Sequence, residues 1–327
     1  MWSRLAGRSF AALRGLAFTG SLLAAAGSTQ GFAAEQTLRI GYQKYGALLL
    51  LKESGALEAA LRDQGVSVTW REFPGGPQLL EALNVGAIDF GTTGEAPPIF
   101  AQAAGAPLVY VGVDPAAPRS EAILVPKDSP IRTVAELKGH KVALNKGSNV
   151  HYLLVRALEE AGLTYGDIQP VYLAPADARA AFERGAVDAW AIWDPYYAAA
   201  VAGTQAKVLA DGQRPDGGIL VPNHEFYLAT RSFNDQRHAV LDTLFTALKA
   251  VEADARGRPA DSARRLSPAV GIPVPILETA FARMGYGVEP LTPDVVAEQQ
   301  RIADTFYKLH LIPKPIAIGD ALPGNHS

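Results

Sequence analysis

The segment Gly185-Ala-Val-Asp-Ala-Trp-Ala-Ile-Trp-Asp-Pro-Tyr-Tyr-Ala-Ala-Ala200 predicts a short buried strand that turns directly into a helix. Asp194 is a favoured N-cap residue, and Pro195 suits the first helical position, where no backbone N–H is needed. The free N–H groups of that helix would lie beyond the strand end, beside Trp193, and a helix N-terminus attracts anions. The segment therefore predicts half of an anion-binding site.

An earlier segment repeats this order of strand, turn and helix. Gly86-Ala-Ile-Asp89 corresponds to Gly185-Ala-Val-Asp188, and Lys44 corresponds to Lys146 at nearly the same spacing. Strands alternate with helices in both halves, which is typical of α/β domains with mainly parallel sheets. The sequence therefore predicts an α/β protein with two similar lobes, each a mainly parallel sheet flanked by helices.

Two segments rich in Pro or Gly interrupt the alternation. Asp114–Arg119 predicts a first crossing between the lobes, and Asp211–Asn223 predicts the return crossing. We therefore expect lobe 1 to comprise residues 34–116 and 222–327, and lobe 2 to comprise residues 117–221. A pair of lobes joined by two crossings tends to be hinged.

Local patterns add further predictions. Residues 47–62 are predicted as one helix and Thr92–Gly94 as a loop after a strand. Thr133 and Glu136 fit a capping box at a short helix over residues 131–138. Asn234 or Asp235 is expected to cap a helix with an apolar stripe from residue 240 to residue 251.

Residues 1–33 are predicted to be a secretory signal peptide. Arg4, Arg8 and Arg14 precede the apolar run Leu16–Ala26, which is too short to span a membrane, and small residues follow. We expect cleavage after Ala33 and a periplasmic location; the alternative is a single N-terminal anchor helix. The chain has 0 Cys, which excludes both disulfides and a lipid-bearing cysteine. No later run is apolar for the length of a spanning helix, so the mature chain is expected not to be membrane-embedded.

Composition and motifs exclude several functions. The 327 residues carry a net charge of −3 without a basic block, so no nucleic-acid partner is expected. The six His are scattered, and nucleotide-binding, zinc-protease and nucleophile-elbow motifs are absent from the sequence, so we expect no metal, no cofactor and no catalytic residue. Glu95 and Asp194 sit where helix caps belong, which favours a capping role over acid–base catalysis.

The predicted ligand site gathers the turns that follow the strands. In open α/β sheets, ligands bind beyond the carboxyl ends of the strands. The turns are Gln43–Gly46, Gly75–Gln78, Thr92–Glu95, Lys146–Asn149 and Trp193–Pro195. They offer backbone N–H groups, an amide, two Lys and Trp193, which suits a small anion or a molecule with an anionic head. Of Trp190 and Trp193, strand alternation allows one to line the cleft, and we expect Trp193; the other interpretation for either ring is core packing.

His151 lies in the first turn of the helix that follows Ser148. It could donate a hydrogen bond to a ligand, or it could be a capping or surface imidazole. The sequence leaves both interpretations open.

Six strings carry a resemblance to a known family. They are Leu38-Arg-Ile-Gly-Tyr-Gln-Lys44, Glu72-Phe-Pro-Gly-Gly-Pro-Gln78, Glu81-Ala-Leu-Asn-Val-Gly-Ala-Ile-Asp89, Pro97-Pro-Ile-Phe-Ala-Gln-Ala-Ala-Gly105, Pro175-Ala-Asp-Ala-Arg-Ala-Ala-Phe182 and Ala189-Trp-Ala-Ile-Trp-Asp-Pro-Tyr-Tyr197. They resemble the aliphatic sulfonate-binding proteins of bacterial ABC importers, over residues 37 to 315. The resemblance implies a two-lobed type II periplasmic binding fold. It also implies a role without chemistry of its own: capture of an alkanesulfonate and its delivery to a membrane permease for sulfur acquisition.

The resemblance also implies which turns contact the sulfonate. Together with Lys44 and His151, the predicted ligand-binding residues are Gln43, Lys44, Gly76, Pro77, Thr92, Thr93, Gly94, Ser148, Asn149, His151, Trp193 and Asp194. Two loops differ from the usual family pattern: Gly91–Glu95 reads Gly-Thr-Thr-Gly-Glu in place of Gly-Ser-Thr-Gly-Asp, and Ser148–His151 replaces a Ser run. Both touch the predicted pocket. Alternative ligands are taurine, nitrate or a pyrimidine precursor, and a two-lobed biosynthetic enzyme is a more distant alternative. We expect a monomer.

Overall fold

A five-stranded sheet forms the centre of lobe 1. The computed structural model describes residues 36–324, so the predicted signal peptide lies outside the described residues. The strands of the first sheet are β1 (Gln36–Tyr42), β2 (Val66–Glu72), β3 (Phe90–Gly94), β4 (Leu108–Val113) and, much later in the chain, β10 (Glu225–Thr230). Their order is β2-β1-β3-β10-β4, and β10 alone among them runs antiparallel to its neighbours.

A second five-stranded sheet forms the centre of lobe 2. Its strands are β5 (Glu121–Val125), β6 (Lys141–Leu144), β7 (Gln169–Tyr172), β8 (Ala189–Trp193) and β9 (Lys207–Asp211). Their order is β7-β6-β8-β5-β9, with β5 antiparallel to β8 and β9. The two orders are equivalent strand by strand, as the internal repeat predicts. The prediction of mainly parallel sheets flanked by helices is confirmed.

Helices cover both sheets. Lobe 1 contains α1 (Ala47–Ser54), α2 (Ala56–Arg62), α3 (Gly76–Asn84), α4 (Ala96–Ala103), α8 (Arg231–Gln236), α9 (His238–Gly257), α10 (Pro259–Val270), α11 (Val274–Phe281) and α12 (Pro293–Lys308). Lobe 2 contains α5 (Asn149–Glu160), α6 (Pro175–Glu183) and α7 (Tyr196–Thr204). The predicted stripe of α9 is buried at Val240, Leu241, Leu244 and Leu248, because these residues share the face that packs on the core.

The two crossings between the lobes hydrogen-bond to each other. The Asp114 N–H donates to the Glu225 carbonyl at 2.8 Å, and the Ala117 N–H donates to the Pro222 carbonyl at 3.0 Å. We call these paired segments the hinge. The residue bounds of the lobes stay a prediction.

Several local predictions are wrong in instructive ways. The predicted helix over 47–62 is two helices, because Gly55 adopts a left-handed conformation (φ 64°) that ends α1. Thr92–Gly94 is part of β3 rather than a loop, because β10 pairs with it up to Gly94. The helix over 131–138 is a single 3-10 turn, Val134–Leu137, although its capping box is present as predicted.

Two helix starts also differ from prediction. The helix α7 begins at Tyr196, so Pro195 precedes it, and the Asp194–Pro195 peptide bond is cis. Pro195 therefore occupies the N-cap position predicted for Asp194, although Asp194 Oδ1 accepts the Ala198 N–H of the first turn at 3.0 Å. Asn234 and Asp235 lie inside α8, which Thr230 caps, and α9 starts after Arg237 instead.

None of the helices within residues 36–324 has the length and apolar character needed to cross a membrane.

Candidate functional site

A cavity of about 260 Å³ lies where strands of both sheets end. Lobe 1 contributes Gln43, Lys44, Tyr45, Glu72, Phe73, Pro74, Thr92 and Glu225, and lobe 2 contributes Ala176, Trp193, Pro195 and Tyr196. Because β1, β2, β3 and β8 all direct their carboxyl ends to this place, the cavity has the position expected for a ligand site in an α/β fold. Of the predicted residues, the cavity brings together Gln43, Lys44, Thr92 and Trp193.

One wall of the cavity is polar and includes a partly buried acid, Glu225. The Gln43 amide donates to the Thr92 carbonyl at 3.3 Å, and the Thr92 hydroxyl lies 3.1 Å from Glu225 Oε2. Burial raises the pKa of Glu225 to about 7, and the Thr92 hydroxyl opposes this rise. Glu225 is therefore poised between a neutral carboxyl that can donate a hydrogen bond and a carboxylate that can accept one.

Lys44 supplies the cationic group of the cavity. Its Nζ lies 3.6 Å from Glu72 Oε1, and both side chains are about half exposed, at 47% and 45%. An exposed pair of this kind is weak, so Lys44 can exchange Glu72 for another anion at little cost.

The lobe 2 wall is aromatic. Trp193 ends β8 and lines the cavity, whereas Trp190 is 1% exposed in the core of lobe 2. Tyr196 from lobe 2 and Tyr45 from lobe 1 line the same cavity. These rings can cover an apolar ligand body while its charged head meets the polar wall.

Gly76, Pro77 and Thr93 are not among the residues that line the cavity. Gly76 allows α3 to approach α4 closely, since an added Cβ would lie 2.7 Å from Pro97 Cγ and 2.9 Å from Thr93 Cβ. Thr93 is fully buried, with its hydroxyl bonded to the Gly94 carbonyl at 2.7 Å. Pro77 lies in the first turn of α3.

Gly94 and Asn149 meet where the two lobes touch, and Ser148 precedes Asn149. A Cβ on Gly94 would lie 2.9 Å from Asn149 Cβ. The Asn149 amide nitrogen donates to Glu121 Oε2 at 2.5 Å and to Asn223 Oδ1 at 2.9 Å, and the Ser148 hydroxyl donates to the Asn145 carbonyl at 2.7 Å. This geometry favours a role in the contact between lobes for Gly94 and Asn149, whereas the Ser148 hydroxyl bonds within lobe 2.

His151 packs among aromatic rings. Its ring lies 6.3 Å from that of Phe100, 5.7 Å from that of Phe306 and 5.0 Å from that of Tyr165. The Gly147 N–H donates to its Nδ1 at 3.3 Å. Burial, together with the charge of the nearby Lys146, lowers the pKa of His151 to about 4. These surroundings favour one interpretation of His151: a neutral imidazole packed between α5 and the helices of lobe 1. They do not favour a hydrogen-bond donor to the ligand.

Asp194 is engaged in a salt bridge. Its Oδ2 accepts from Arg283 Nη1 at 3.0 Å, and its side chain is fully buried. Burial raises the pKa of Asp194 to about 6, against the opposing charge of Arg283. Both carboxylate oxygens therefore have protein partners.

The sequence interpretation missed Glu225, Tyr45 and Tyr196 as cavity residues. Tyr45 lies in a turn that was predicted to bind, and Tyr196 follows the Trp193–Pro195 turn directly. The local sequence does not indicate Glu225 as a cavity residue, because Glu225 is the first residue of an ordinary strand. It reaches the cavity through the antiparallel pairing of β10 with β3.

Larger hollows exist elsewhere on the surface. One of about 480 Å³ runs along α5 and α12 on the hinge side, and one of about 580 Å³ adjoins β9. Neither lies at the carboxyl ends of the strands. Across residues 36–324, no three His, Asp or Glu side chains are grouped so that they could hold a metal ion.

Comparisons with known proteins fit this geometry. The family described as NMT1/THI5 like matches residues 61–262. A protein of Escherichia coli (strain K12) named as an aliphatic sulfonates-binding protein is 48% identical over 296 residues, which cover 89% of this chain and 91% of that relative.

Two solved structures share the fold and much of the sequence. The alkanesulfonate-binding protein SsuA from Xanthomonas axonopodis pv. citri, bound to MOPS, matches with a TM-score of 0.81 and 44% identity, over 88% of this chain and 97% of that chain. The periplasmic aliphatic sulphonate binding protein SsuA from Escherichia coli matches with a TM-score of 0.77 and 48% identity, over 88% and 91%. This chain therefore belongs to the NMT1/THI5-like family and, within it, to the aliphatic sulfonate-binding proteins.

Proposed function

We propose that this protein acts in the periplasm, where it binds aliphatic sulfonates in the cavity between its lobes. It then delivers them to the membrane permease of an ABC importer, for sulfur acquisition. One observation carries the proposal: at the carboxyl ends of the strands, Gln43 and Lys44 line the same cavity as the rings of Tyr45 and Trp193. That arrangement suits a molecule with an anionic head and an apolar body. The names of the relatives, which refer to sulfonates and to the periplasm, support it.

The size of the cavity supports a small ligand. Pockets for drug-sized molecules occupy about 300–1,000 Å³, and this cavity has about 260 Å³. Charge-assisted hydrogen bonds contribute about 1.5–3 kcal/mol each, so three or four of them can supply the roughly 8 kcal/mol of a micromolar site. No side chain needs to attack the ligand or to exchange a proton with it.

Thermal unfolding tests this function directly. Ligand that binds the folded state alone stabilises it by about 2.7 kcal/mol at a hundred times the Kd. Butanesulfonate or octanesulfonate should raise the Tm of the protein, and sulfate should leave it unchanged. A Tm that no sulfonate raises would refute the proposed substrate class. Release of sulfite or another product from a bound sulfonate would refute a role without chemistry.

A second candidate ligand is an aminosulfonate such as taurine. The observation that favours it is Glu225, whose carboxyl lines the cavity and could accept a hydrogen bond from an ammonium group. MOPS, which the Xanthomonas relative holds, also combines a sulfonate with an amine.

The pH dependence of binding separates the two candidates. Since the pKa of Glu225 is raised to about 7, Glu225 ionises between pH 6 and pH 8. Butanesulfonate affinity should then fall over this range, and taurine affinity should rise, each by up to about tenfold per pH unit. Glu225→Gln should flatten both profiles. Identical pH profiles for the two ligands would contradict a role for Glu225 in choosing between them.

We also propose that the protein acts as a monomer whose lobes divide at residues 117 and 222. Light scattering of the purified protein tests the first point. Limited proteolysis tests the second: cuts in the hinge should map near residues 117 and 222, and bound ligand should protect these sites.

A further inference from the structure

A buried ion pair joins the two lobes next to the cavity. Asp194 lies in lobe 2, in the turn between β8 and α7, and Arg283 follows α11 in lobe 1. Arg283 Nη1 donates to Asp194 Oδ2 at 3.0 Å, with the side chains 15% and 0% exposed. The Arg283 guanidinium also lies over the ring of Tyr197, 4.0 Å from its centroid.

The partners of the pair are held in place within their own lobes. Asp194 Oδ1 accepts the Ala198 N–H at 3.0 Å, so the carboxylate is fixed to the first turn of α7. On the other side, Phe281 at the end of α11 is buried in the core of lobe 1. Because Asp194 and Arg283 are carried by different lobes, their ion pair requires the two lobes to lie close together.

The same elements form the ends of the cavity. Tyr45, a lining residue from lobe 1, donates its hydroxyl proton to the Ala280 carbonyl at 2.9 Å and stacks on Phe281 at 5.7 Å. Trp193 and Pro195, lining residues from lobe 2, flank Asp194 in sequence. The ion pair therefore lies beside the cavity, and neither Asp194 nor Arg283 is among the residues that line it.

We propose that Asp194 and Arg283 form a latch that holds the two lobes closed over the ligand, as positioning residues that do not touch it. The proposal rests on the proposed function for its ligand, but the latch itself is a contact between lobes. Opening the lobes must separate a buried charge pair, and truncating one partner leaves the other charge buried and unpaired. The latch should therefore slow ligand release more than it changes ligand capture.

The chain allows a reporter of closure that needs no ligand. It has 0 Cys, so two introduced thiols would be the only ones. Gly75 of lobe 1 has an extended conformation (φ −176°), and a Cβ there would lie 2.7 Å from Asn145 Nδ2 of lobe 2. Within residues 36–324, that Asn145 nitrogen has no hydrogen-bond partner, so its loss costs little. A Gly75→Cys/Asn145→Cys protein should form a disulfide across the cleft only when the lobes are closed.

Arg283→Gln in this reporter tests the latch. It leaves the hydrogen bond from the Ala198 N–H to Asp194 intact and should slow disulfide formation by about tenfold or more, since close charge pairs couple by at least the roughly 1.4 kcal/mol of a tenfold change. The off-rate of butanesulfonate from the variant without cysteines should rise by a similar factor. Arg283→Lys should restore part of both effects. The control is Arg179→Gln, which breaks the exposed pair with Glu183 within α6 and should change neither rate.

The outcomes are distinct for the latch and for the ligand. Disulfide formation within twofold of the reporter protein would overturn the latch, and a lowered Tm with unchanged closure would assign Arg283 a purely structural role. If no sulfonate binds or speeds disulfide formation, the proposed function fails, while the comparison of Arg283→Gln with the ligand-free reporter still decides the latch.

Discussion

A methyl group added at Gly94 should act across the contact between the lobes. Gly94 ends β3 in lobe 1, and its φ is outside the left-handed region, so alanine fits the backbone. The new Cβ would lie 2.9 Å from Asn149 Cβ and 3.0 Å from Asn149 Cγ in lobe 2. Non-bonded carbons prefer about 3.5–4.0 Å. Asn149 cannot easily retreat, because Glu121 and Asn223 hold its amide.

The expected magnitude follows from this overlap. Overpacking of a close contact costs about 1–3 kcal/mol, and here the lobes can relieve the cost by separating. The closed form should therefore become about 5–150 times rarer relative to the open form, and the Kd for butanesulfonate should rise by the same factor. The stability of the ligand-free protein should change less, since the open form accommodates the methyl group.

Calorimetric titration measures the Kd, and the thiol reporter measures closure without ligand. The matched control is Gly203→Ala in α7, where a Cβ would have no atom within 4 Å. This control should keep the wild-type Kd and gain about 0.5–1 kcal/mol of stability, as expected for alanine in a helix. A Gly94→Ala protein with a wild-type Kd and wild-type closure would refute the assignment of this contact to lobe closure.

Three further predictions concern buried ionisable groups. Burial lowers the pKa of His151 to about 4, so stability should fall as pH drops from about 6.5 to 4, by up to about 3 kcal/mol. His151→Leu should lose that part of the slope in urea titrations at pH 7 and pH 4.5, and an unchanged slope would contradict the burial of a neutral imidazole. Burial raises the pKa of Glu95 to about 8, so the folded carboxyl keeps its proton and wild-type stability should fall as pH rises from about 4.5 to 8. The Tm advantage of Glu95→Gln should therefore grow between pH 5 and pH 8.5; a constant difference would argue against it. The Tyr227 hydroxyl lies 2.9 Å from Asp114 Oδ2 and 3.0 Å from Glu252 Oε1. Tyr227→Phe should cost about 1–3 kcal/mol in chemical denaturation, and an unchanged free energy of unfolding would contradict a stabilising role for these hydrogen bonds.

The order of elements was predictable from the sequence because it rests on local patterns. Alternating strands and helices indicated an α/β fold, and the repeat of Gly86–Asp89 at Gly185–Asp188 indicated two similar lobes, whose sheets have equivalent strand orders. Cavity residues at the end of a strand or directly after it, such as Trp193 and Gln43, were found by the same argument.

Contacts between distant parts of the chain were not predictable. Asp194 and Arg283 are 89 residues apart, and Thr92 and Glu225 are 133 apart. Nothing in either local sequence indicates its partner. The extension of β3 through Gly94 depends likewise on β10, which the chain supplies much later.

The late arrival of β10 has a consequence for how the chain folds. This strand lies between β3 and β4, and Thr92 bonds to the Phe226 carbonyl across 134 residues of sequence. Until Phe226 has been synthesised, β3 and β4 have unpaired edges and lobe 1 cannot be completed. The strands of lobe 2, in contrast, all lie between Glu121 and Asp211, and they can assemble as soon as that stretch emerges. Pairing across long stretches of sequence slows folding. Lobe 2 should therefore form first, and lobe 1 should be completed only when β10 pairs with β3 and β4.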